Sequence, residues 1–171
     1  YTPVADCRVG DYVVAPTAKL AGSPLAVSIE KAWAIGLFAA EGSFSKNPAG
    51  KRNSVQFSLN KDEVSLINRL RSFFRDEYGK EAKIYPAGLN GVSVRVHSGE
   101  IADEFFSYVG EYAHAKQFSE AVMSLPTPLL HSVMQGLFDG DGHRFDREGR
   151  RQTTKFNTAS PSLAFQVRQL A

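Results

Sequence analysis

The sequence predicts an α+β fold: a pseudo-symmetric pair of αββαββα-type units with antiparallel strands, the second unit incomplete. Three observations lead there. AIGLFAAEG at 34–42 returns as MQGLFDGDG at 134–142, with Gly-Leu-Phe, two residues, a carboxylate and a glycine in one register 100 residues apart. Each copy is apolar and ends in glycine, which reads as a helix with a glycine C-terminus. Segments alternating polar and apolar residues follow each copy, which is the period of a half-buried strand.

Composition sets the bounds. The chain has 171 residues, enough for one or two compact units with a real core. A net charge of +2 is mildly basic, so any basic surface must be local. Cys7 is the only cysteine, which excludes an internal disulfide and a cysteine-based zinc site and fits a reducing, cytoplasmic setting. No apolar run is long enough to span a membrane and no signal peptide is present, so no membrane partner is expected. The chain starts at Tyr1, which reads as a piece cut from a longer precursor.

Residues 1–28 hold Pro3, Pro16 and Pro24 and the run VGDYVV at 9–14, a turn followed by a short strand. Ser28 is a good N-cap for the first repeated helix. In that helix Ala32, Gly36 and Ala40 lie on one face, and in the second Ser132, Gly136 and Gly140 do the same. Gly36 and Gly136 would let the two backbones pair closely.

After Gly42, Phe44 alternates with Ser43 and Ser45, and Val55, Phe57 and Leu59 alternate with Ser54, Gln56 and Ser58, a hairpin with one polar face. Lys61–Tyr78 has an amphipathic helical period closed by Gly79. A second hairpin follows, with a turn running through Pro86 to the strong turn signal Asn90-Gly91. Ser98 caps a helix that reaches Val109. The second unit starts with a helix over Ser132–Gly142. Strands follow near residues 143–145 and 151–156, and Ser160-Pro161 opens a final helix.

The carboxylates carry the chemistry. Glu41 and Asp141 sit at the helix ends that carry partial negative charge. Were the helices to pack in parallel, two acids and two helix C-termini would meet. A divalent cation is the natural compensation, and oxygen ligands suit Mg²⁺. Such a pair fits phosphodiester cleavage by a metal-activated water.

These residues resemble the LAGLIDADG (dodecapeptide) family of homing endonucleases, in the double-motif form found in inteins. The match holds at the third, fourth, eighth and ninth positions of both motifs and is looser at the first two; the sixth position is Asp139 in the second motif but Ala39 in the first. The resemblance implies the pseudo-two-fold LAGLIDADG endonuclease fold, with the motif helices paired in parallel and each antiparallel sheet in a DNA major groove. The implied activity is a metal-dependent double-strand cut at a long, roughly asymmetric DNA site.

Glu41 and Asp141 then hold Mg²⁺ (or Mn²⁺), with Ala40, Gly42, Gly140 and Gly142 around the ion. Family members also carry a lysine upstream of the second motif, near the metal, where it can activate the attacking water; Lys116 stands in the matching place. DNA contacts are expected from Ser43, Ser45, Lys46, Asn47, Lys51, Arg52, Gln56 and Ser58. The second hairpin would add Lys83, Tyr85, Ser93, Arg95 and His97, and the second unit His143, Arg144, Arg147, Arg150, Arg151, Thr153 and Lys155.

The implied organisation is a linker or intein splicing-domain edge at 1–28, a first repeat at 29–115, and an inter-repeat segment with a truncated second repeat at 116–171. A second chain could complete the second repeat. Two other readings stay open: a cleavage-deficient DNA- or RNA-binding module of the same fold, and a fragment of an intein whose working activity is protein splicing. Splicing chemistry has no support in these residues, since there is no Cys or Ser at the chain start and no terminal His-Asn pair.

Overall fold

The computed structural model describes residues 25–145 and 153–170, so Arg147, Arg150, Arg151 and most of the 1–28 linker lie outside the described residues. The first unit comprises α1 (Ile29–Glu41), β1 (Gly42–Lys46), β2 (Arg52–Asn60), α2 (Val64–Tyr78), β3 (Lys83–Ala87), β4 (Gly91–Val96) and α3 (Gly99–Val109). After the short α4 (Glu120–Met123) come α5 (Thr127–Asp141), β5 (His143–Phe145), β6 (Thr153–Lys155) and α6 (Pro161–Leu170). Among the described residues, the second unit consists of α5, β5, β6 and α6.

The centre is α1. Every residue from Ala32 to Ala39 is buried, as expected of a helix that is apolar on all sides. Ser28 caps it, accepting from the Lys31 backbone N–H. α5 packs along it in parallel, because Gly36 faces Val133 and Leu137, Gly136 faces Trp33 and Leu37, and Gly140 faces Ala40 and Glu41. The approach is backbone to backbone: a Cβ on Gly36 would stand 1.8 Å from the Val133 carbonyl oxygen, and one on Gly136 1.9 Å from that of Trp33. α5 begins five residues earlier than the sequence suggests, with Pro126 as its N-cap residue and Pro128 in its first turn.

The two predicted hairpins merge into one antiparallel sheet in the order β1-β2-β4-β3. Its inner face brings Val55, Phe57, Leu59, Val94 and Val96 against the helices, all buried. Phe38 sits among Phe44, Phe57 and Phe105, with ring centroids 4.8, 5.7 and 5.3 Å away.

Three local expectations change. Pro86 lies inside β3 rather than in the turn; β3 is an edge strand, where a missing N–H is tolerated. α2 starts at Val64, because Lys61 and Asp62 form a turn and the Glu63 carboxylate accepts from the Asn60 N–H. Gly42 and Gly142 are extended (φ −80° at both) and are not left-handed caps. Glycine is needed at 42 for space, since a Cβ would meet Cδ2 of Phe38 at 2.1 Å.

Candidate active site

Parallel pairing of α1 and α5 brings the acids at their C-termini together. Glu41 and Asp141 interact directly, side chain to side chain, and Glu41 is pushed up to about 7. Burial is the largest cause, then the Asp141 charge and the Glu63 charge, with Lys116 pulling the other way. Gly140 makes the room: a Cβ there would lie 2.6 Å from Cβ of Ala40 and 3.1 Å from Cγ of Glu41.

Two apposed carboxylates, with helix C-termini behind them, form a hard, anionic oxygen site. That donor set fits Mg²⁺ or Mn²⁺, which needs one or two protein carboxylates and keeps the remaining positions for water and phosphate. No group of three or more His, Cys, Asp or Glu side chains able to hold a metal occurs among the described residues, so the pair stands alone.

Lys116 reaches the site but does not face open water. It is 7% exposed, and its ammonium donates to the carbonyl oxygens of Phe38 (2.9 Å), Ala39 (3.0 Å) and Gly42 (2.8 Å). An ammonium has three donors, and all three are committed. Lys116 therefore caps the C-terminus of α1, a place where a cation is favoured. Burial lowers its pKa to about 8, against the raising effect of Glu41 and Asp141. Ser160 holds its backbone, donating to the Lys116 carbonyl at 2.6 Å while capping α6 through the Leu163 N–H.

The expected recognition residues divide. Ser43, Gln56, Arg95 and Lys83 stand side by side across all four strands, and Ser58, Ser93 and Tyr85 form the next row. Gln56 links to Ser43 (3.0 Å) and Ser45 (3.3 Å), and the Tyr85 hydroxyl lies 3.2 Å from Nε2 of His97. The polar face predicted from alternation thus exists as one continuous surface.

Three residues predicted to lie on that face do other work. A register shift between Ser45 and Lys46 turns Arg52 to the helical side, where it pairs with Asp103 at 2.9 Å and lies 3.8 Å over the Phe106 ring. Lys46 pairs with Glu111 at 3.0 Å. The Asn47 side chain accepts from the N–H groups of Ala49 and Lys51, which shapes the β1–β2 turn. Lys51 is exposed in that turn and Lys155 is exposed on β6, while for His143, Arg144 and Thr153 only the backbone of the β5–β6 pair is described.

Asp139 at the sixth motif position has a role the sequence did not reveal. It accepts from Nε1 of Trp33 at 2.8 Å and from Gln135, and Arg69 covers Trp33 at 3.9 Å while pairing bidentately with Glu30. This clamp exists on one side of the helix pair only, because the pseudo-symmetric positions are Ala39 and Val133.

Comparison with known proteins agrees with this architecture. Residues 28–110, the first unit, match the model of the LAGLIDADG-like domain. The chain is 28% identical over 159 residues to the ATP-dependent DNA helicase Hel308 of Thermococcus kodakarensis, covering 91% of this chain but 14% of that protein's length. Among solved structures, I-DmoI in complex with DNA and Mn superposes with a TM-score of 0.55 at 15% identity, covering 83% of this chain and 76% of that one. A single-residue variant of the same endonuclease, with its target DNA and Mg, gives 0.51 at 16% identity over 67% of this chain and 62% of that one. At these identities the superpositions establish the fold. With its paired motif helices, apposed acids and a first unit that matches the LAGLIDADG-like domain, the chain has the fold of the LAGLIDADG homing endonucleases.

Proposed function

We propose that this chain is the DNA-cleaving part of a homing endonuclease embedded in a host protein, as in an intein, and that it hydrolyses phosphodiesters with a divalent cation held by Glu41 and Asp141. The observation that carries the reading is the convergence of those two acids at the ends of two parallel helices, where they repel one another unless a proton or a cation is shared. The structures of I-DmoI with DNA and Mn or Mg support the choice of substrate and ion class. The match to 14% of a DNA helicase fits an endonuclease unit carried inside a larger protein.

The bound cation would lower the pKa of its water and offset charge on the phosphate. The chain's own residues hold and orient. Glu41 would hold the cation as a carboxylate, in its deprotonated form. Gly140 leaves Glu41 the room to face Asp141. Lys116 fixes the α1 terminus from which Glu41 projects, and so acts as a positioning residue. The row of Ser43, Gln56, Arg95 and Lys83 faces the groove, amide and hydroxyl for base edges, cations for phosphates. The half-open apolar groove at Phe138, Phe156, Ala164 and Val167 is where further chain, from the same protein or a second one, would complete the second unit.

Plasmid nicking with and without Mg²⁺ tests the reading. Asp141→Asn should abolish cleavage while leaving DNA affinity within about tenfold, ~1.4 kcal/mol. Cleavage by that variant at the wild-type rate would sink the assignment.

A further inference from the structure

Beside the acidic pair lies a cavity of about 420 Å³ lined by Glu41, Ser43, Phe44, Glu111, Tyr112 and Lys116, within the ~300–1,000 Å³ of small-ligand pockets. Tyr112 belongs to the loop between the repeats and is 60% exposed. Among the described residues it alone, apart from glycines, has a positive φ, at 67°. A bulky side chain is disfavoured in that conformation, where glycine or asparagine is at home.

The ring is also held in place. Lys46 Nζ lies 3.3 Å from its hydroxyl, and His114 stacks on it at 6.1 Å with 14° between planes. A large aromatic, exposed, fixed on two sides and kept in a costly backbone conformation, is built for contact with something flat.

Resting on the endonuclease reading above, we propose that this cavity takes the one nucleotide flanking the scissile phosphate, its base partly unstacked from the duplex and laid on the Tyr112 ring. The phosphate stays with the cation that Glu41 and Asp141 would hold, and the uncharged base meets the aromatic walls of Phe44 and Tyr112. Base-on-aromatic stacking tolerates any sequence, because every base has a π face. Inserted side chains that unstack a base step and kink the duplex follow the same logic.

The test uses the full chain, Ca²⁺ in place of Mg²⁺, and a random-sequence 40-base-pair duplex carrying 5-iodouracil. Irradiation followed by peptide mapping should place a crosslink on Tyr112 or His114. Tyr112→Asn suits the left-handed backbone, so its melting temperature should equal or exceed that of the wild type. Its affinity by fluorescence anisotropy should nevertheless fall roughly tenfold. Tyr112→Phe keeps the stacking face and should bind within about twofold of the wild type. Wild-type affinity in Tyr112→Asn, with crosslinks confined to the sheet face, would overturn this inference and leave the endonuclease reading standing. A wild-type chain that binds no duplex at all would overturn both.

Discussion

Gly136→Ala probes the contact on which the site depends. The added Cβ would stand 1.9 Å from the Trp33 carbonyl oxygen and 2.8 Å from the Leu37 nitrogen, both backbone atoms of α1. Ordinary van der Waals contact begins near 3.4 Å, so relief requires α5 to move away by roughly 1.5 Å along that line. No rotamer change supplies this, because the obstacle is main chain. Overpacking of this kind costs about 1–3 kcal/mol, and a clash with helix backbone belongs at the upper end.

For a chain of this size ~3 kcal/mol corresponds to a fall in melting temperature of roughly 6–12 °C. Gly36→Ala should match it, since its Cβ would meet the Val133 oxygen at 1.8 Å. Both variants should also lose cleavage at temperatures where they remain folded, because the displacement reaches Glu41 and Asp141 one turn further on. Thermal melts by circular dichroism, with nicking assays well below the midpoint, measure the two effects separately. A melting temperature within about 2 °C of the wild type in both variants would refute the backbone-to-backbone packing.

Lys116→Met removes an ammonium that donates to the carbonyls of Phe38, Ala39 and Gly42, leaving Phe38 only the Gly42 N–H. It should destabilise by about 2–4 kcal/mol, and loss of cleavage with an unchanged melt would show that Lys116 serves as a base and not as a cap. Glu41 has its folded pKa raised from 4.5 to about 7, so its contribution is fully present below about 4.5 and lost as pH rises through about 7. In EDTA the wild type should lose about 1–2 kcal/mol relative to Glu41→Gln between pH 5 and 7.5, after allowance for partial exposure. Mg²⁺ should restore it, and a difference that grows with pH in the opposite direction would contradict the sign. DNA affinity should fall with salt by a log–log slope near −0.9 per phosphate contact. Arg95→Ala should flatten that slope by about one contact while Lys46→Ala, already paired with Glu111, leaves it unchanged; equal effects of the two would be evidence against the sheet face.

Much of this protein was determined by local pattern. The repeat of GLF, two residues, acid and glycine placed both helices and both carboxylates, because a helical period and a helix terminus are properties of neighbouring residues. The period of two in residues 54–59 and 92–97 chose which side chains line the open sheet face, because successive strand residues point to opposite sides. Small residues four apart announced the close face that the Gly36 and Gly136 contacts then realised.

Tertiary structure decided what depends on residues distant in sequence. A one-residue shift between β1 and β2 moved Arg52 from the predicted groove to α3, and no composition signal marks such a shift. Lys116 is a solvated lysine by its neighbours in sequence; it becomes a helix cap only because the chain folds it over the end of α1, more than 70 positions away. Asp139 finds Trp33 in the same way, across 106 positions. Tyr112 joins the cavity beside the acids because the loop's backbone hydrogen bonds hold it there, with the Tyr112 carbonyl accepting from both Ala115 and Lys116. Alternation and helical period report which face a side chain takes; which partner meets that face is settled only when distant segments compete for the same space.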